Sequence, residues 1–206
     1  MGNVRKVAQA LERAPLREPP GRLVEWGAGD GTFLLQVARR LHARWPKVEA
    51  VTVDRLALLS PQTQQGFARL GWTIQAVQAD VFEWLRVDPG GKSDVLLSNL
   101  FLHHLAAETL GLLLEHAAKR AALLFLACEP ERSRLALLGA RCLGLIGCNQ
   151  VTRHDAIISV RAGFCGCEVS DLWPKGGGGQ LNERPAGLFS HLFQARHAGG
   201  GKGRHA

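Results

Sequence analysis

Apolar and polar positions in this chain follow two rhythms that take turns. Short apolar runs bounded by turn residues read as strands: "GRLVEWG" (21–27), "KVEAVTVD" (47–54), "WTIQAVQAD" (72–80), the start of "SDVLLSNLFLHHL" (93–105) and "AALLFLACEP" (121–130). Helical spacing fills the intervals. "GTFLLQVARRLHARW" (31–45) sets Phe33, Leu34, Val37, Ala38 and Leu41 on one face, and a second helix is predicted from Pro61 to Leu70, where Gly71 stops it. "VFEWL" predicts a helical turn after the third strand, and the fourth strand is expected to run through "LFLHHL" into a helix reaching Ala118. Successive β-then-α units imply a parallel sheet with helices on both faces, which binds ligands at the carboxyl ends of its strands. Further on, 131–150 and 152–164 predict helices, while "GQLNERPAG" and "LFSHLFQARH" predict two strands joined by a tight turn and therefore antiparallel.

Composition fits one globular domain, since 206 residues at 46% apolar content can bury a full core. The expected organisation is an amphipathic helix and Pro-rich linker over 1–20, the domain over 21–197, and a Gly-rich basic tail, expected to be disordered, over 198–206. The longest apolar stretch, Leu135 to Cys148, is broken by Arg141 and too short to span a bilayer; the first residues lack the apolar core of a secretory signal. A cytoplasmic protein is expected. Its five cysteines, at 128, 142, 148, 165 and 167, are odd in number and show no CxxC pair, which suits a reducing compartment and gives no metal site. The net charge of +7 permits a nucleic-acid partner, but the basic residues are scattered and densest in the tail, so a solvated surface is the better reading.

The chemistry concentrates at "VEWGAGDGTF". Gly27, Gly29 and Gly31 give a backbone that can turn sharply and admit a ligand against it, with Glu25 before and Asp30 within the loop. A dinucleotide fingerprint needs GxGxxG, but Thr32 stands where its third glycine belongs, and the two acids would repel a pyrophosphate. Carboxylates here suit a ligand with an ammonium group. Asp54 ends the second strand, where it can accept from a ribose diol, and Asp80 ends the third, where it can accept from an adenine amine or simply cap the next helix.

Taken together, "VEWGAGDG", "VTVD", "QAD" and "SDVLLSNLFLHHL" resemble, in order and separation, the motifs of class I S-adenosylmethionine-dependent methyltransferases over roughly residues 20 to 130. The resemblance implies their Rossmann-like α/β fold, a doubly wound, mostly parallel seven-stranded sheet with an antiparallel last strand. It also implies S-adenosylmethionine as cofactor, with Glu25, Gly27, Ala28, Gly29 and Gly31 meeting the methionine part, Asp54 the ribose, Asp80 and the Val81 backbone the adenine, and Asn99 bordering the sulfonium. A looser resemblance, in "LHHL" and 131–164, is to bacterial enzymes methylating polyketide-like or quinone-like small molecules. "SNLF" lacks the Pro-Pro-aromatic pattern of DNA amino methylation; RNA or protein methylation, and a non-catalytic cofactor-binding relative, remain the other readings.

A hydroxyl acceptor needs a base, and histidine is the side chain suited to that work at neutral pH. His103 and His104 follow the fourth strand, at the expected cleft mouth, and His154 lies on an element that would cover the acceptor. The Leu-rich segment 131–164 offers core packing on one face or an apolar acceptor pocket, with Arg132, Arg134 and Arg153 as candidate anchors for an acidic group.

Overall fold

The computed structural model describes residues 2–87, 91–142, 150–176 and 179–197. The predicted tail therefore lies outside the described residues, as do 143–149 in the segment read as one helix. The elements run α1 (Gly2–Glu12), β1 (Arg22–Trp26), α2 (Thr32–Leu41), β2 (Glu49–Asp54), α3 (Pro61–Arg69), β3 (Thr73–Gln78), α4 (Val81–Val87), β4 (Ser93–Asn99), a 3₁₀ turn (Leu102–His104), α5 (Ala107–Arg120), β5 (Ala121–Pro130), α6 (Arg134–Cys142), α7 (Gln150–Ala162), α8 (Glu168–Leu172), β6 (Gln180–Pro185) and β7 (Ser190–Arg196).

The strands form a seven-stranded sheet in the order β3-β2-β1-β4-β5-β7-β6. Neighbours from β3 through β5 pair in parallel, whereas β7 runs antiparallel to both β5 and β6. The fold expected from the sequence is the one observed. Side chains alternate across the sheet, as the period of two requires. Leu23, Ala50, Val95, Leu97, Leu124, Leu126 and Cys128 pack on one face with α1, α2 and α3, and Val24, Trp26, Val51, Val53, Leu96, Phe125 and Ala127 pack on the other with α4, α5 and α8. Buried on both faces, the central strands read as nearly continuous apolar runs.

The chain leaves β1 toward β3 and then returns to place β4 on the other side of β1, so the carboxyl ends of β1 and β4 flank the switch point where doubly wound sheets hold ligands. Local chemistry shifts three elements from expectation. The predicted run from β4 straight into a helix is interrupted, because Leu100 takes φ 55° and the next backbone N–H groups turn toward Glu129. Helix α6 starts at Arg134 rather than residue 131: Glu131 bonds as a bridge to Phe164, and the Ser133 hydroxyl accepts from the N–H of Ala136 as a cap. The five-residue α8 is an addition the sequence pattern did not signal.

Candidate active site

The loop after β1 carries three successive left-handed glycines, Gly27, Gly29 and Gly31, with φ of 67°, 55° and 72°. Packing demands glycine at two of them. A Cβ at Gly27 would meet the Phe101 ring at 2.5 Å, and one at Gly31 would meet the Leu59 methyl at 2.9 Å. At Gly29 a Cβ would meet nothing within 4 Å, so the backbone there borders open space. The loop is braced from β2: Gly27 and Ala28 donate to the Val53 carbonyl at 2.9 and 3.4 Å, and the Asp54 carboxylate accepts from the N–H of Gly29 and of Leu56, both at 2.9 Å. Asp30 accepts from the N–H and hydroxyl of Thr32, at 3.0 and 2.6 Å, which steadies the start of α2.

Glu25 lies beneath this loop at 1% exposure, and its Oε2 has no hydrogen-bond partner among the described residues. Burial, and then the nearby charges of Asp30 and Asp54, push its carboxyl well above the ordinary range. An anion held so unfavourably would be relieved by a cation at the loop. Asp80 stands half-buried at the end of β3, and its Oδ1 accepts from the N–H of Phe82 at 2.8 Å, so it does cap α4. Val81 opens that helix with its side chain in the core.

Across the switch point, Asn99 ends β4 half-buried, and its Oδ1 accepts from the Asn3 amide of α1 at 3.0 Å. The two histidines that follow differ sharply. His103 is buried at 8% exposure, and its Nδ1 lies 2.7 Å from Glu129 Oε2. Glu129 also faces the backbone N–H groups of Phe101, Leu102 and His103, at 3.1, 3.0 and 3.4 Å. A carboxylate surrounded by donors acts as acceptor, so Nδ1 of His103 carries a proton, which in the neutral ring leaves the lone pair on Nε2. That Nε2 has no partner among the described residues. His104 is exposed, with its ring 4.0 Å from that of His103; partial burial and the neighbouring imidazole lower its pKa against the opposing pull of Glu129. His154 is exposed on α7.

Glu129 is the site residue that sequence reasoning missed. Its signal was a lone acid at the carboxyl end of an apolar strand, the same signature that marked Glu25. His191, on β7, has Nδ1 2.8 Å from Glu131 and Nε2 2.8 Å from Glu183, so neither nitrogen is available to a substrate. Of the candidate anchors, Arg132 pairs with Glu168 and donates to Cys165 Sγ at 3.3 Å, while Arg134 is exposed. On α6 and α7, Ala136, Ala140 and Val160 form a small core of their own, and Leu135, Leu138 and Ile158 stay exposed. Among the described residues, no group of three metal-ligating side chains is gathered and no helix is long and apolar enough to cross a membrane.

No protein-family model matches the chain, and no curated protein matches it significantly. Solved structures do match. An O-methyltransferase family protein from Burkholderia thailandensis superposes with a TM-score of 0.60 at 18% identity, over 96% of this chain and 57% of its own. Magnesium protoporphyrin IX methyltransferase from Synechocystis PCC 6803, solved with bound SAH, gives 0.59 at 14% identity, over 95% of this chain and 82% of its own. The plantazolicin methyltransferase, in complex with a triazolic desmethyl analogue and SAH, gives 0.65 at 12% identity, over 95% and 85%. At these identities the likeness is one of fold: this is the methyltransferase form of the doubly wound α/β sheet. The chain spans a little over half the length of the Burkholderia protein.

Proposed function

We propose that this protein is an S-adenosylmethionine-dependent methyltransferase acting on a small, largely apolar acceptor through a hydroxyl or an activated carbon. The observation that carries the reading is Glu25, a buried carboxylate with an unpartnered oxygen beneath a glycine loop that is bare at Gly29. Those features fit the cofactor. Glu25 matches its ammonium group, and the backbone at Gly29 leaves room for the methionine chain. Each Asp54 oxygen already accepts one hydrogen bond and keeps a lone pair for a ribose hydroxyl. Asp80 and the start of α4 remain the nearest groups for the adenine.

When bound, S-adenosylmethionine supplies a methyl group already activated on a cationic sulfur. The protein's own work is then alignment and proton handling, and orientation of reactants alone can lower a barrier by about 7–11 kcal/mol. For a hydroxyl acceptor, His103 is the base this geometry supports best. Glu129 fixes its tautomer and ring, the buried Nε2 is left unpartnered and would take the proton once the bound acceptor reaches it, and a base so placed contributes about 10²- to 10⁴-fold. His104 stacks on it at the exposed side and suits a role in orienting the acceptor. His154, on α7, would meet only an acceptor reaching across that helix. The exposed leucines of α6 offer the apolar contact that ligand sites favour.

Calorimetric titration with S-adenosylhomocysteine (SAH), beside NADH as control, tests the reading. Micromolar binding of SAH alone is the expected result, and Gly29→Val is expected to abolish it. Valine would occupy the open space and would also be strained at φ 55°. Binding of NADH, or normal SAH binding by that variant, would overturn the site assignment.

A further inference from the structure

Helix α1 reaches the carboxyl edge of the sheet with two polar side chains, Asn3 and Lys6, set one helical turn apart. They join a chain of hydrogen bonds that crosses three elements. Lys6 Nζ donates to Ser190 Oγ at 2.8 Å, Ser190 Oγ donates to Asn3 Oδ1 at 2.7 Å, and Asn3 Nδ2 donates to Asn99 Oδ1 at 3.0 Å. Ser190 is buried at 2% exposure at the start of β7, so its hydroxyl has little recourse to water.

The buried Ser190 hydrogen sets the direction of this chain. An ammonium group can only donate, so the Ser190 oxygen accepts from Lys6 and its hydrogen goes to Asn3. Asn3 must therefore turn its carbonyl toward Ser190, which leaves its amide nitrogen to face Asn99. Asn99 in turn presents its carbonyl to Asn3 and keeps its own N–H groups for a ligand. Turning the Asn3 amide over would leave the buried Ser190 hydrogen without an acceptor, and turning the Asn99 amide alone would set two donors against each other.

We propose that Lys6, Ser190 and Asn3 are positioning residues that hold the Asn99 amide in one orientation, making α1 part of the ligand site. The inference rests on the methyltransferase reading, which sets Asn99 at the sulfonium end of the cofactor. It adds that the helix preceding the glycine loop sets the polarity of that end. Among these residues only Asn99 meets the ligand, and the other three act through it.

Two measurements test the relay, and the first needs no ligand. In ¹⁵N-labelled protein, the side-chain amide signals of Asn3 and Asn99 are assigned by their loss in Asn3→Ala and Asn99→Ala. Lys6→Met is expected to shift both pairs, including that of Asn99 two links away, while Ser190→Thr, which keeps the hydroxyl, leaves them near their original positions. Unmoved Asn99 signals in Lys6→Met would overturn the relay. The second is a double-mutant cycle read by SAH calorimetry. Asn3→Ala is expected to weaken SAH binding roughly two- to tenfold, the range of one hydrogen bond, and to have no further effect in the Asn99→Ala background. An equal loss in both backgrounds would show that Asn3 does not act through Asn99. A wild-type protein that binds no SAH would sink the methyltransferase reading, and the resonance shifts would still decide the relay by themselves.

Discussion

Glu25 shows how a single side chain can report a ligand. Burying a carboxyl with an unpartnered oxygen is unfavourable, and Asp30 and Asp54 add repulsion on top of desolvation. A raised pKa means that the free protein holds Glu25 protonated over a wider range of pH, and that its stability declines as pH rises through that pKa. A bound ammonium reverses the preference, so binding expels the proton. SAH affinity should therefore climb with pH, by at most about tenfold per unit, until Glu25 is ionised in the free protein. Glu25→Gln is expected to weaken binding and flatten this climb, and to unfold at a higher temperature than wild type in mildly alkaline buffer. Calorimetry in buffers of different ionisation enthalpy counts the proton directly. A wild-type affinity independent of pH would refute the assignment. Leu100 is the second residue that carries strain, a non-glycine at φ 55° between Asn99 and the turn that holds His103. Such a conformation costs about 1–3 kcal/mol and persists where the surroundings enforce it, here the bond from its N–H to the Cys128 carbonyl at 3.0 Å.

Among the elements, the closing ones are tied by a histidine. His191 of β7 is clamped between Glu131, just past β5, and Glu183 of β6, whose carboxylate also accepts from the N–H groups of Val169 and Ser170 in α8. With carboxylates at both nitrogens the ring is held as imidazolium. Burial works against the charge, but the bonds to Glu183 and Glu131 outweigh it and raise the His191 pKa. For Glu183 burial likewise pushes the pKa up, and the bonds from His191, Ser170 and Val169 bring it below the ordinary value. A raised histidine pKa gives stability that is complete below the unfolded value near 6.5 and lost as pH rises through the folded pKa; the lowered Glu183 pKa gives stability lost only at acid pH. Thermal unfolding of wild type and His191→Gln should thus differ most near pH 6 and draw together as pH rises through the raised folded pKa. A gap that stays constant over that range would exclude a charged clamp. The clamp also marks where sequence reading stops. The strands, glycine loop and acids at 25, 54 and 80 were legible because each follows from local periodicity or strand-end position. Glu131 and Glu183 were not, since their meaning comes from register: β5 faces β7 across Glu129↔His191, a pairing about 60 residues apart that no local pattern encodes, and Glu129, though it ends an apolar strand, meets His103 only in the fold. Asp80 was legible in both of its readings, and the structure shows its role as a cap without touching the other.

At the scale of the whole molecule, the two faces of the sheet contribute differently to the site. One face is sealed by α1 and α2, through Val7, Ala8 and Leu11 of α1 against Leu34, Val37 and Ala38 of α2; the other by α4, α5 and α8 around Trp26, Phe125 and Trp173. Read from sequence, α1 was an amphipathic helix ahead of a Pro-rich linker. In the structure its apolar stripe joins the core, which is why its polar end reaches Asn99. Leu11 of α1 and Leu113 of α5 are both buried, at 1% and 0% exposure, and truncating either to alanine should cost about 2–5 kcal/mol of stability. Equal losses of stability should not give equal losses of binding. A cavity under α5 removes no contact of Asn99, whereas a cavity under α1 loosens the helix that carries Asn3 and Lys6 and lets it open locally. Leu11→Ala is therefore expected to lower SAH affinity by up to the factor that Asn3→Ala does, and Leu113→Ala to leave it unchanged, with both folded throughout the titration. Chemical denaturation of each variant fixes the stability axis and calorimetry the binding axis. If the two variants fell on a single line relating affinity to stability, the site would depend on the fold as a whole and α1 would have no special claim on it.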